Sequence, residues 1–283
     1  MIEGDHDLGT VLRNHLTQWQ LRVDGPTHEG ADSLVTPVRT DDGTAAVLKV
    51  SAPQTASPHE HLVLRRWGGD GAVRLLRADP PAHALLLERL RPPRLDESAD
   101  TIACEVIGGL YRTLHVPALP QLLSATADVA DRIEVLRRLP RGAPIPHRLV
   151  TQVIALSRDL TADRSGEVVL HGDLHPGKVF TAGRRPWLAV APRPVNGDRH
   201  YEIAPMLWHR WDALTGNIRD GVRHRFHTLV AVADLDEDLA RAWTLVRVVH
   251  AWTHELLAGA ATEAVADAAA SSRYAAIAKA VQD

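Results

Sequence analysis

The residues with the clearest chemical potential lie in the segment 171–178, which reads HGDLHPGK. Three apolar residues precede it and predict a buried strand that delivers Asp173 into a loop, where rigid scaffolds tend to carry catalytic groups. Gly172 permits unusual backbone angles, and Pro176-Gly177 predicts a tight reversal that directs nearby side chains back toward one point. A carboxylate held in this way suits proton transfer. The alternative is a capping Asp in an ordinary turn.

Two other site types share residues with this segment, and the sequence argues against both. Residues 172–178 match G-x-x-x-x-G-K, but a P-loop needs Ser or Thr next and then a helix, whereas Val179 follows here. Among the 16 His residues, His171 and His175 bracket a loop and so share no helical face. The single Cys, Cys104, excludes an intramolecular disulfide and the zinc deaminase pattern. We therefore predict no metal ligands.

The elements that must position this segment indicate an α+β fold. Residues 1–90 are predicted to form a strand-rich N-lobe, an antiparallel sheet plus helix, and residues 91–283 a mainly helical C-lobe that carries the segment 168–198. The Pro-rich and charged stretch RPPRLDESAD marks the hinge. Strands are predicted around turns at 41–43 and 79–81. Helices are predicted at 8–21, 59–67, 100–114, 146–160, 204–214, 221–233, 239–259 and 262–281.

Composition excludes several classes of protein. Hydrophobic residues make up 45% of the 283 and charged residues 24%, which is ordinary for a globular protein. The net charge of −3 offers no electrostatic attraction to nucleic acid or to anionic membrane. The acidic start MIEGDHDLGT predicts no signal peptide, and no apolar run approaches membrane-spanning length. We expect a cytoplasmic protein with a small-molecule substrate, no nucleic acid and no membrane.

Five motifs, in order along the chain, resemble the aminoglycoside phosphotransferase superfamily. They read AAVLKV, HEHLVLRRWGGDGAVRLL, ALLLERL, LHGDLHPG and RPWLAVAPRPVNGD. The resemblance is to the streptomycin 6-phosphotransferase and hydroxyurea phosphotransferase branch, and it covers nearly the whole chain. It implies a bilobal, protein-kinase-like fold.

The resemblance also implies roles for single residues. Lys49 would hold nucleotide phosphates, and Glu60 would pair with it. The alternatives are an exposed strand end for Lys49 and a solvated helix residue for Glu60. Residues 88–90 would meet adenine at the hinge, and Asp173 would orient or deprotonate an acceptor hydroxyl.

Residues after the catalytic loop are assigned in the same way. Trp211 and Asp212 would line the substrate cleft, where acidic residues of the family often face cationic aminoglycosides. Glu202 would have a structural role. Tryptophans expected to pack in helix cores are Trp208, Trp243 and Trp252.

Two departures from the family pattern concern magnesium. The family's loop ends in an Asn that binds the ion, and this chain has Lys178 there. The family's next strand ends I-D-P with the main magnesium ligand, whereas this chain has Ala191 in place of that Asp. Asp198 lies too far along the chain to assume that it substitutes. Since magnesium neutralises the transferring group, the replacements predict loss of Mg-ATP phosphotransfer, with neither ATP nor magnesium as a cofactor.

These departures favour a metal-independent enzyme of secondary metabolism or antibiotic modification. Asp173 would act as the base, while Lys178 and Arg193 hold a departing sulfate or phosphate, and Lys49 extends the anion site. A rival interpretation is an inactive pseudokinase that binds a ligand or a partner protein. A third is a genuine ATP-dependent phosphotransferase of the aminoglycoside or hydroxyurea type. A partner that presents or helps to process the substrate is left open.

Overall fold

The computed structural model divides the chain into two compact units. The first comprises residues 1–93 and 179–194, and the second residues 94–178 and 195–283. The structure describes residues 8–30, 32–54, 57–214, 216–261 and 268–282. Part of the predicted helix over 262–281 therefore lies outside the described residues.

The first unit is built on an antiparallel sheet of six strands. They are β1 (Arg22–Val23), β2 (His28–Glu29), β3 (Ser33–Arg39), β4 (Ala45–Ser51), β5 (Leu75–Asp79) and β6 (Ala84–Glu88). Their order is β1-β3-β4-β6-β5, with β2 also paired to β3. The predicted turns join β3 to β4 and β5 to β6, and Gly43 in the first turn has φ 85°.

Two helices flank this sheet, α1 (Leu8–Gln18) and α2 (Glu60–Trp67). Both were predicted, but α1 ends before the predicted residue 21, and Gln20 beyond it has a left-handed φ of 54°. Side chains alternate between the faces of β4, so that Leu48 and Val50 enter a core shared with Leu12 of α1. The same alternation places Lys49 on the opposite face of the strand.

A second, three-stranded sheet belongs to the first unit. It contains β7 (Arg91–Arg94), β9 (Val179–Ala182) and β10 (Arg185–Ala189), in the order β10-β9-β7. The prediction kept 168–198 within the helical lobe, but the structure groups 179–194 with the first unit. The reason is backbone pairing, because Val73 N donates to Ala189 O at 2.9 Å.

The second unit is mainly helical. Its helices are α3 (Asp100–Leu114), α4 (Ala125–Arg137), α5 (His147–Leu160), α6 (Ala204–Trp208), α7 (Ile218–Ala233), α8 (Glu237–Ala261) and α9 (Ala268–Gln282). A short antiparallel pair joins β8 (Val168–Leu170) to β11 (Val195–Gly197). A Cβ on Gly108 would lie 2.9 Å from Val232, so glycine permits the close approach of α3 and α7. No helix among the described residues is both long and apolar enough to cross a bilayer.

Three features of the second unit bear on the predictions. Trp243 and Trp252 are buried, as predicted. The predicted helix over 204–214 ends at Trp208, because Arg210 adopts a left-handed φ of 52° and reverses the chain. α4 was not predicted, although Ser124 caps it by accepting a hydrogen bond from Ala127 N at 3.1 Å.

Candidate active site

The loop after β8 is held from beneath by one buried carboxylate. Glu202 is fully buried and accepts hydrogen bonds from the backbone N–H groups of His171 at 2.8 Å and Gly172 at 2.9 Å. Gly172 has φ 81°, a conformation that glycine adopts without strain. The structural role predicted for Glu202 is confirmed, because its two oxygens fix the backbone immediately before Asp173.

Neighbouring side chains favour the ionised form of that carboxylate. Burial acts to raise the pKa of Glu202, but nearby His115 and Arg247 reverse the effect and hold the pKa below its ordinary value. Arg247 also donates to the carbonyl oxygens of Gly172 and Tyr201. The loop is thus clamped through both its N–H and its C=O groups.

Asp173 is paired with Lys178 within the same loop. A 3₁₀ turn over Pro176–Lys178 reverses the chain, and Lys178 N donates to His175 O at 2.9 Å. The Lys178 ammonium donates to Asp173 Oδ2 at 2.6 Å. Both side chains are half-buried, with 18% and 24% of their surface exposed. The reversal predicted for this segment is confirmed, and it brings a cation onto the carboxylate.

A histidine pair borders the same carboxylate. His209 Nε2 lies 3.7 Å from Asp173 Oδ1, and the His209 ring stacks on His175 with centroids 3.6 Å apart. Burial acts to raise the pKa of Asp173, but His209 and Lys178 outweigh it and hold the pKa well below its usual range. Burial and the neighbouring His209 lower the pKa of His175 to about 3. At neutral pH the site therefore presents an ionised carboxylate beside a neutral imidazole.

Among the described residues, one group of three brings potential metal ligands together. One ligand atom each from Asp173, His175 and His209 lies within 4.8 Å of the others. The pattern of histidines predicted no metal ligands, because His171 and His175 share no helical face and nothing in that pattern included His209. The fold brings His209 to this point at the end of α6, where no local sequence pattern indicates it.

Lys49 and Glu60 form a tight ion pair within the first unit. The Lys49 ammonium donates to both carboxylate oxygens of Glu60, at 2.9 and 2.7 Å. Only 15% and 6% of these side chains is exposed. The predicted pairing is confirmed, and the alternatives of an exposed strand end and a solvated helix residue are wrong. The nucleotide role of the pair stays a prediction.

Glu88 is the first of the residues 88–90 that were predicted to lie at the hinge, and its carboxylate is hydrogen-bonded within the first unit. It accepts from Arg184 Nη2 at 2.7 Å and from the backbone N–H of Arg74 at 2.8 Å. Burial acts to raise its pKa, but the Arg184 hydrogen bond and charge hold the pKa below its ordinary value. The side chain therefore ties β6 to the turn between β9 and β10.

The remaining predicted site residues belong to two different units of the structure. Arg193 is an exposed residue of the first unit. Trp211 and Asp212 begin a 3₁₀ turn in the second unit, half-buried and exposed respectively. Trp208, expected in a helix core, is half-buried and meets Tyr274 edge-on at 6.0 Å.

Comparison with known proteins places the chain in a family. A family described as "Aminoglycoside/hydroxyurea antibiotic resistance kinase" matches residues 18–256. The chain belongs to this kinase family. Streptomycin 6-kinase of Streptomyces glaucescens is 37% identical over 86% of this chain and 81% of its own length. Hydroxyurea phosphotransferase of Kitasatospora aureofaciens is 39% identical over 83% of this chain and 69% of its own length.

Solved structures show the same fold. The crystal structure of aminoglycoside phosphotransferase APH(4)-Ia superposes with a TM-score of 0.64, covering 96% of this chain and 99% of that one at 15% identity. The predicted kinase-like α+β fold, strand-rich at the N-terminal side and helical at the C-terminal side, is confirmed.

Within this kinase family, the residues at the two expected magnesium positions do not fit the ion. Magnesium prefers oxygen ligands, whereas Lys178 presents an ammonium that already contacts Asp173 Oδ2, and Ala191 presents a methyl group. The carboxylate of Asp198 is engaged with the next turn of the chain, since its Oδ1 accepts from His200 N at 2.9 Å and contacts His200 Nδ1 at 2.6 Å.

The backbone at Ala191 nevertheless suits an acidic residue. Its φ of 52° is left-handed, a conformation in which Asp and Asn are several-fold enriched among non-glycine residues. Alanine gains nothing from this conformation. An Asp can therefore be introduced at position 191 without new backbone strain.

Proposed function

We propose that this chain is a small-molecule group-transfer enzyme in which Lys178 takes the place of a magnesium ion. The observation that carries the proposal is the 2.6 Å contact between Lys178 Nζ and Asp173 Oδ2. The group transferred is a phosphoryl or sulfuryl group, because the transfer of either one leaves negative charge on the donor's oxygen atom, and an ammonium stabilises that charge. The acceptor is a small molecule of the kind named for the relatives, such as streptomycin or hydroxyurea.

Asp173 serves as the proton acceptor in the proposed reaction. Its depressed pKa keeps it a carboxylate at neutral pH. As the acceptor oxygen or nitrogen forms its bond to phosphorus or sulfur, its proton passes to Asp173, and the bond to the leaving oxygen breaks. The leaving oxygen takes up the electron pair, and its negative charge is stabilised by Lys178. Arg193 is predicted to add to this stabilisation.

A second candidate is an ATP-dependent small-molecule kinase, and a specific observation favours it. The buried pair of Lys49 with Glu60 is intact, and pairs of this kind hold nucleotide phosphates in kinases. The names of the relatives also describe kinases and phosphotransferases. This candidate predicts nucleotide binding and turnover that depend on an added divalent ion.

Ligand-dependent melting separates the proposal from both alternatives. Sulfate and phosphate should raise the melting temperature without magnesium, and Lys178→Met should abolish that rise.

Turnover of streptomycin or hydroxyurea, with ATP, an aryl phosphate or an aryl sulfate as donor, should persist in chelator and be lost in Asp173→Asn. Stabilisation only by Mg-ATP would favour the kinase. Ligand or partner binding unaffected by Asp173→Asn, with no turnover, would indicate a pseudokinase.

A further inference from the structure

We propose that Asp173, His175 and His209 form a binding site for a divalent transition-metal ion of the zinc class. One ligand atom from each residue lies within 4.8 Å of the other two. Two imidazoles and one carboxylate are a common ligand set for zinc and iron, and they leave positions open for water. The site is separate from the magnesium positions at 178 and 191.

The two carboxylate oxygens of Asp173 have different neighbours, so that a metal ion and Lys178 can each contact a different oxygen. Lys178 contacts Oδ2 at 2.6 Å, whereas His209 Nε2 approaches Oδ1 at 3.7 Å. An ion between Oδ1 and the two imidazoles would leave Lys178 on Oδ2, where its positive charge competes with the ion for the same carboxylate.

The two rings must move to bind the ion. They are stacked with an interplanar angle of 11°, so their in-plane lone pairs lie in nearly parallel planes and do not converge on one point. Bonds of about 2.0 Å to zinc place the ligand atoms roughly 3.3 Å apart in a tetrahedral site. Rotation of His209 is the simplest adjustment, because 35% of its side chain is exposed and it follows the last residue of α6.

The choice of metal follows from the ligand types. Imidazole nitrogen suits zinc, cobalt, nickel and copper, whereas magnesium takes oxygen ligands in an octahedral shell. The site therefore selects zinc-class ions over magnesium. Because the ion would occupy Oδ1 of the proposed base, zinc should inhibit turnover, and this consequence rests on the proposed function.

Cobalt(II) is the probe, since its visible absorption reports the number and type of its ligands. Chelator-treated protein is titrated with Co²⁺, and the bound ion is then displaced with Zn²⁺. His175→Asn and His209→Asn should each weaken binding at least about tenfold, while His224→Asn, at an exposed histidine of α7, should not. Lys178→Met should strengthen binding, because a nearby positive charge is removed. Excess Mg²⁺ should not displace Co²⁺.

Specific results would overturn the proposal. These are the absence of a cobalt absorption band in the folded wild type, equal affinity in wild type and both histidine variants, or displacement by Mg²⁺. Circular dichroism and melting temperature establish that each variant is folded, and the opposite effects of His209→Asn and Lys178→Met cannot both arise from misfolding. The titration needs no turnover, so it remains decisive if the proposed enzyme activity fails.

Discussion

The Nζ atom of Lys178 lies 2.6 Å from Oδ2 of Asp173. The carboxylate expected to receive the acceptor's proton thus has a cation from its own loop. The contact depends on a short chain reversal, since Lys178 N also donates to His175 O at 2.9 Å. Because the ammonium is already held by the carboxylate, it loses little further freedom when it stabilises a developing charge.

Replacing Lys178 should impair turnover far more than stability. Lys178→Met removes the cation proposed to stabilise the leaving group, and we expect the turnover number to fall about a hundredfold to a thousandfold. Lys279→Met, at an exposed lysine of α9, is the matched control and should leave turnover unchanged. Equal rates for both variants in a steady-state assay would show that Lys178 has no part in the reaction.

Breaking the pair of Lys49 with Glu60 should destabilise the first unit. Lys49→Met leaves the 6%-exposed carboxylate without its cation, which we expect to cost about 3–5 kcal/mol in the free energy of unfolding. The double variant Lys49→Met/Glu60→Leu removes both charges and should recover most of that loss. Urea denaturation followed by circular dichroism measures both values.

The control for the buried pair is an ion pair on the protein surface. Arg185 and Asp70 are 60% and 65% exposed, so Arg185→Met should change the free energy of unfolding by less than about 1 kcal/mol. A cost for Lys49→Met no larger than this would contradict the importance given to the buried pair.

Acid should destabilise the second unit through His250. Burial, with a smaller effect of the Arg132 charge, lowers the pKa of His250 in the folded chain to about 4. Because its ordinary pKa of 6.5 is higher, the unfolded chain takes up the proton first as the pH falls. Stability contributed by neutral His250 is therefore present above pH 6.5 and is lost as the pH falls from 6.5 toward 4.

The expected size of this loss is about 2 kcal/mol between pH 7 and pH 5. It is measured as the difference between wild type and His250→Leu in denaturation at each pH, since the other titrating groups cancel in that difference. His254→Leu, at the exposed histidine one turn along α8, should show no such difference. A pH-independent difference for His250→Leu would contradict the assignment.

Local patterns in the sequence predicted most of the regular structure. Alternating apolar residues around the turn at 41–43 indicated β3 and β4, and the Pro-Gly pair at 176–177 indicated how the loop 171–178 reverses. β9 (Val179–Ala182) was missed although it forms a hairpin with β10, which follows it in the chain; only its other partner, β7, comes from a distant segment. The prediction kept 179–194 with the helical lobe because the pairing of Ala189 with Val73 joins residues far apart in the sequence.

The site was predictable where its residues follow from a motif. Asp173, Lys178, Lys49 and Glu60 each stand in such a motif, and the predicted contact of Lys49 with Glu60 followed from it. The direct contact of Lys178 with Asp173 was not predicted. His209 was not predictable, because its approach to Asp173 depends on where α6 ends and how the chain reverses at Arg210. Tertiary packing alone determines that approach.

The measurement that tests the central claim most directly is the magnesium dependence of turnover. Initial rates are compared in chelator and in excess magnesium for wild type and for the double variant Lys178→Asn/Ala191→Asp, which restores both family ligands. We predict that the wild-type rate is the same in both conditions and that the double variant turns over only with magnesium. Wild-type turnover that disappears in chelator and returns on adding magnesium would contradict the account.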